Sequence, residues 1–181
     1  MMSEEPKPVP SLTREQLLEK ALRLLARRDY SVAGLQARLR RHSTDGADVD
    51  WVLERLRSVK FLDDQAVADR KAARAREQLL GQRRVEQELR ALQVGESTIA
   101  DSVAAHYSLM DEDSLALRHM EQKLNPLLAA GSLEEPKGLQ RAYGRLRRAG
   151  FGHGATVRAL RHHSKLAGDL DDTAPDEDFE A

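Results

Sequence analysis

No cysteine occurs in the 181 residues. Disulfides, zinc–thiolate sites and thiol catalysis are therefore excluded. Aromatic residues make up only 4% of the chain, so a core must be built from Leu, Val and Ala. No apolar run approaches the roughly 18 residues of a membrane-spanning helix. The N-terminus, MMSEEPKPVP, is polar and proline-rich, unlike a secretory leader. Long alternating β-branched runs are also missing. Ala, Leu, Arg and Glu, which favour helices, are abundant instead. These features predict an all-α, soluble, cytoplasmic protein.

The net charge of −1 conceals an asymmetry. Seven of the acids lie in the last thirteen residues, DLDDTAPDEDFEA, so the rest of the chain stands at +6. Between 137 and 165 there are eight Lys and Arg and no acid. A basic helical body with an acidic, disordered tail is expected. Such a body suits a polyanion or an acidic protein surface. Beside the basic segment, the tail suggests either competition with polyanions or simple solubility.

Helix-start signals organise the chain. In Leu62-Asp63-xxx-Val67 the acid has the spacing of an N-cap and the two apolar residues that of a hydrophobic staple. Asp64 then falls at the first helical position, favoured by the helix dipole. Leu12-Thr13-xxx-Leu17 repeats the pattern, with Gln16 completing a capping box, and Met110-Asp111-xxx-Leu115 repeats it again. The caps Thr13, Asp63 and Asp111 lie about fifty residues apart, a period typical of helical repeats. Apolar pairs follow each cap: Leu35 and Leu39, Val85 and Leu89, Ala142 and Leu146. Third helices carry Val52 and Leu56, Ile99 and Val103, Thr156 and Leu160. The expectation is three tandem three-helix repeats in an elongated, curved array. The units are 12–61, 62–109 and 110–167, the last with an insertion near 125–136. Flanking segments are 1–11 and 168–181.

Catalytic and metal sites find little support. Adjacent carboxylates Asp63 and Asp64 at a helix start point about 100° apart and are expected to see solvent, which does not separate their pKa values as paired acid–base catalysis requires. His153, His162 and His163 lack the i, i+4 spacing of a helical metal pair. GFGHGA, 150–155, reads as a helix end and turn rather than a phosphate loop. No catalytic residue, metal or cofactor is expected.

The stretch LRSVKFLDDQAVADRKAARAREQLLGQRRVEQELRALQV resembles the central signature of the RecX family, bacterial regulators of the RecA recombinase. Phe61, Leu62, Asp63, Asp64, Gly81, Arg84, Val85, Glu88 and Leu89 carry it. ALRLLARRDYSVAGLQARL resembles the family's opening and LRRAGFGHGATVRAL its third unit. Gln93 departs from the pattern, which often has Gly there. The resemblance implies a non-enzymatic regulator that binds the RecA–single-stranded DNA filament and restrains its growth, ATPase and strand exchange in recombination, DNA repair and the SOS response. Candidate contacts to RecA or to single- or double-stranded DNA are Arg38, Arg40, Arg41, Arg70, Lys71, Arg74, Arg83, Arg84, Arg141, Arg145, Arg148, Arg158 and Arg161. A monomer without membrane contact is expected. Two rival readings are a helix-turn-helix DNA binder and a helical scaffold with no nucleic-acid role. Acidic starts of two third helices (Asp48, Asp50 and Glu54; Glu96 and Asp101) argue against groove reading there.

Overall fold

The computed structural model describes residues 11–43, 45–108, 111–168 and 170. The acidic tail beyond Leu170, and Met110 of the third staple, lie outside the described residues. Among those described, all regular structure is helical. The first region holds α1 (Arg14–Leu25), α2 (Val32–Leu39) and α3 (Gly46–Ser58). The second holds α4 (Asp64–Glu77), α5 (Gln82–Ala91) and α6 (Glu96–Tyr107). The third holds α7 (Glu112–Lys123), a short α8 (Asn125–Ala129), α9 (Pro136–Arg148) and α10 (His153–His163).

The expected caps are in place. Thr13 and Gln16 form a reciprocal capping box at α1. The Asp63 carboxylate accepts from the Ala66 N–H at 3.0 Å. Asp111 accepts from the Ser114 N–H at 3.2 Å and the Ser114 hydroxyl at 2.7 Å. The Ser114 hydroxyl is the first cause holding the Asp111 carboxyl below its ordinary value. The insertion forms α8, with Pro126 in its first turn, and a 3-10 turn at Ser132–Glu134. Pro136 opens α9.

Four helices end in Schellman motifs. Past α3, α4, α5 and α9, the residues Lys60, Leu79, Gln93 and Gly150 have φ of 57°, 60°, 62° and 95°. In each, the following N–H returns to a carbonyl five residues back: Phe61 to Leu56, Leu80 to Ala75, Val94 to Leu89 and Phe151 to Leu146. Three of these four left-handed positions carry a side chain, at a cost of about 1 kcal/mol each.

Two apolar cores form rather than one per repeat. The first gathers Leu17, Ala21, Leu35, Leu39, Val49, Val52, Leu56 and Leu62. The second is continuous through the other two regions, from Ala68, Val85, Leu89 and Ile99 to Leu115, Met120, Leu146, Phe151 and Leu160. Leu62, read from sequence as the opening of the second unit, packs into the first core. The stripe Ala68, Ala72, Ala75 and Leu79 is buried, and its small residues let α4 lie close against α6.

Candidate functional site

The Asp-Asp pair divides its labour. Asp63 closes its own helix. Asp64 begins α4 as expected, yet its carboxylate accepts from the Val32 N–H at 2.8 Å, across 32 residues, and so caps α2 of the first region. The expectation that both acids face solvent fails for Asp64. It is half-buried, and burial lifts its carboxyl above the ordinary value against the pull of the Val32 N–H. Both carboxylates cap helix starts. Beside them, Ser31 caps α2 through the Gly34 N–H at 2.9 Å and donates its hydroxyl to the Leu92 carbonyl. The Arg70–Asp29 ion pair, 2.8 Å, completes this joint between the first two regions.

The joint between the second and third regions is different in kind. The Gly81 N–H donates to the Ala149 carbonyl at 2.8 Å. A methyl group at Gly81 would fall 2.2 Å from the Gly150 oxygen, and one at Gly150 would fall 2.5 Å from the Arg84 nitrogen. Only two glycines allow this approach of backbone to backbone. Buried His119 sets Nδ1 2.8 Å from the Leu79 carbonyl and packs edge-on to Phe151, with centroids 5.4 Å apart. Burial holds its imidazole below the ordinary value of 6.5, against the raising effect of that carbonyl. Tyr107 donates to the Leu80 carbonyl at 3.0 Å, and burial pushes its phenol up to about 12. His119 was missed from sequence. Its place on the Leu115, Ala116, Met120 face of α7 was the available signal.

The candidate basic contacts fall into two groups. Arg70 pairs with Asp29, Lys71 and Arg84 share Glu88 at 3.2 and 2.9 Å, and Arg158 pairs with Asp113 at 2.6 Å. Arg161 donates to the backbone carbonyls of Ala167 and Leu170, and Arg83 is half-buried on α5. Arg70 and Lys71 thus hold partners within the chain. By contrast, Arg38, Arg40, Arg41, Arg74, Arg141, Arg145 and Arg148 are exposed, with no ion-pair partner among the described residues. Arg38, Arg40 and Arg41 cluster where α2 runs into a 3-10 turn. Arg141, Arg145 and Arg148 occupy the outward face of α9, opposite Ala142 and Leu146.

No cluster of three or more His, Asp or Glu suited to a metal ion occurs among the described residues. His153 instead shares a 2.7 Å hydrogen bond with the Tyr143 hydroxyl. No helix among the described residues is long and apolar enough to cross a membrane. GFGHGA ends α9 at Gly150 and starts α10 at Gly152.

Comparison with known proteins places this architecture. Residues 18–56 match the family model described as RecX, first three-helix domain. Over 142 residues the chain is 34% identical to the regulatory protein RecX of Syntrophotalea carbinolica, an alignment spanning 76% of this chain and 90% of that protein. A crystal structure of a regulatory protein RecX superposes with a TM-score of 0.54 at 22% identity, covering 78% of this chain and 70% of that one. That likeness concerns the fold; the identity with the bacterial relative, carried over nearly its whole length, shows that the chain belongs to the RecX family.

Proposed function

We propose that this protein is a non-enzymatic regulator that binds the RecA–single-stranded DNA filament in the cytoplasm and restrains its growth, ATP turnover and strand exchange. The observation carrying this reading is the 34% identity, over 90% of its length, to a protein named for regulation. The physical chemistry is compatible with it. The conspicuous carboxylate pair is used in helix capping, which leaves recognition, through unpaired arginines in the first region and on α9, as the chemistry at the surface. A filament of repeated acidic and phosphate-bearing surfaces is a partner that separated basic patches can engage together. The joint between the two cores consists of polar contacts, which lets the patches adjust to a helical partner.

The test is to add the protein substoichiometrically to RecA assembling on single-stranded DNA and follow ATP hydrolysis. A progressive fall is expected; an unchanged rate at every ratio removes the reading. Reversal of Arg141, Arg145 and Arg148 to Glu should weaken the effect while circular dichroism stays unchanged. Full restraint by the reversed protein would discharge α9 as a contact.

A further inference from the structure

Three arginines of the first region, none tied to an acid among the described residues, line one concavity of about 360 Å³. Arg38 and Arg41 come from the end of α2 and the turn that follows, and Arg28 from the α1–α2 link. Arg28 is held in place: its guanidinium lies over the Tyr30 ring, 4.4 Å from the centroid. Tyr30 is itself buried, so the platform is rigid. The opposite wall is supplied by the second region, through Ala91, Leu92 and Gln93. Among the described residues no carboxylate lines the space. The carboxylate nearest in sequence, Asp29, is turned to Arg70.

Gln93 adds an independent observation. It occupies a left-handed position, φ 62°, where glycine would be relaxed. Of the three side-chain-bearing residues in such positions, Leu79 buries its side chain in the second core, and exposed Lys60 lines a different concavity beside Asp29 and Arg70. Gln93 is exposed and lines the arginine concavity as well as the neighbouring one bounded by Asp50, Glu54 and Asp64. Backbone strain kept in exchange for a polar side chain facing a cavity points to use of that side chain.

From this arrangement we infer that the cleft between the first and second regions is a phosphate site for single-stranded nucleic acid, with Arg28, Arg38 and Arg41 on the phosphodiester and the Gln93 amide as an added donor. Three guanidinium groups around one space suit a tetrahedral phosphate, which offers acceptors in several directions; a planar carboxylate is satisfied by one bidentate arginine. The positive field is evident at His42, held below its ordinary value first by burial and then by Lys20, Arg38 and Arg41. Because the walls come from both sides of the joint, bound phosphate also fixes the two regions against each other. This inference deepens the proposed function and rests on it for the biological setting, but the site is testable alone.

The experiment measures anisotropy of a fluorescent oligo-dT on the full chain across a salt series. Changing Arg38 and Arg41 together to Gln should weaken binding about tenfold or more at low salt and flatten the plot of log affinity against log salt by about 1.4, the share of two phosphate contacts on a single strand. Arg118→Gln, at an exposed position of α7, should leave the slope unchanged. Gln93→Gly should bind less well while melting at a higher temperature, a combination that a purely structural role does not produce. No binding by the wild type, or an unchanged slope in the arginine double variant, overturns the inference. So does tighter binding of polyglutamate than of oligo-dT at matched charge, which would make the cleft an acidic-protein site. Competition by pyrophosphate as effective per phosphate as oligo-dT would overturn the nucleic-acid source. Parallel RecA ATPase assays separate the two claims. Restraint of RecA without oligonucleotide binding removes the cleft alone; oligonucleotide binding through the cleft without any effect on RecA removes the regulator reading alone.

Discussion

The joint around Asp64 and the joint around Gly81 connect neighbouring helical triplets by opposite means. At the first, a carboxylate, a serine hydroxyl and one ion pair meet between two separate cores. At the second, a pair of glycines brings backbone against backbone inside one continuous core. Polar contacts can be exchanged for water at a small net cost, about 1 kcal/mol apiece. Buried apolar surface has no such substitute. The first joint should therefore yield before the second, with the chain opening as one triplet against a fused pair.

The largest expected effect comes from filling the tight joint. Gly81→Ala should cost about 3 kcal/mol, because its methyl meets backbone that cannot step aside. Gly34→Ala, at the other joint, meets the Ser31 hydroxyl and the Leu92 oxygen at 3.1 and 3.2 Å and gains helix propensity, so its net change should lie within about 1 kcal/mol of zero. Urea melts of both variants decide the matter; equal costs would erase the distinction between the joints.

His119 comes next. Its removal by His119→Ala should cost about 2 kcal/mol, leaving the Leu79 carbonyl buried without a partner. Its folded-state value lies below the ordinary 6.5, so in the window beneath 6.5 the unfolded chain binds the extra proton. Its share of stability is complete above that value and is lost as pH falls through the window. Thermal melts between pH 7 and 5 should show this fall, and His119→Gln should flatten it.

Asp64→Ala should cost about 1 kcal/mol, the worth of an N-cap, and should speed hydrogen exchange at Val32 while leaving Gly81 slow. Faster exchange at both amides would mean the joints open together. The smallest effect belongs to Arg70–Asp29. Both side chains are largely exposed, so a double-mutant cycle should give about 0.5 kcal/mol, fading with salt. A larger coupling would make the first joint stiffer than its chemistry suggests.

What was legible in the sequence was local. Thr13, Asp63 and Asp111 announce helix starts because a cap and its N–H lie two or three residues apart. Leu35 and Leu39, or Val85 and Leu89, declare a buried face by their spacing. The partners across joints leave no such trace. Nothing near Asp64 names Val32, and Gly81 gives no hint of Gly150. The arginines show the same divide: their helical spacing was readable, but Asp29, which neutralises Arg70 from 41 positions away, was not. The merging of the second and third triplets into one core follows from these distant contacts and was equally hidden.

The bond from Val32 to Asp64 also sets an order of events during synthesis. Helix α2 leaves the ribosome with an amide in its first turn awaiting an acceptor 32 residues further along the chain. At about 5–20 residues per second, Asp64 follows about two to six seconds later, and the Leu92 carbonyl that receives Ser31 later still. Leu62 of the first core emerges just before Asp64, so the first triplet completes its core and gains the cap of α2 almost together, when the next triplet has begun. The amide of Val32 thus records, in its exchange rate on stalled nascent chains, the moment at which the second triplet arrives.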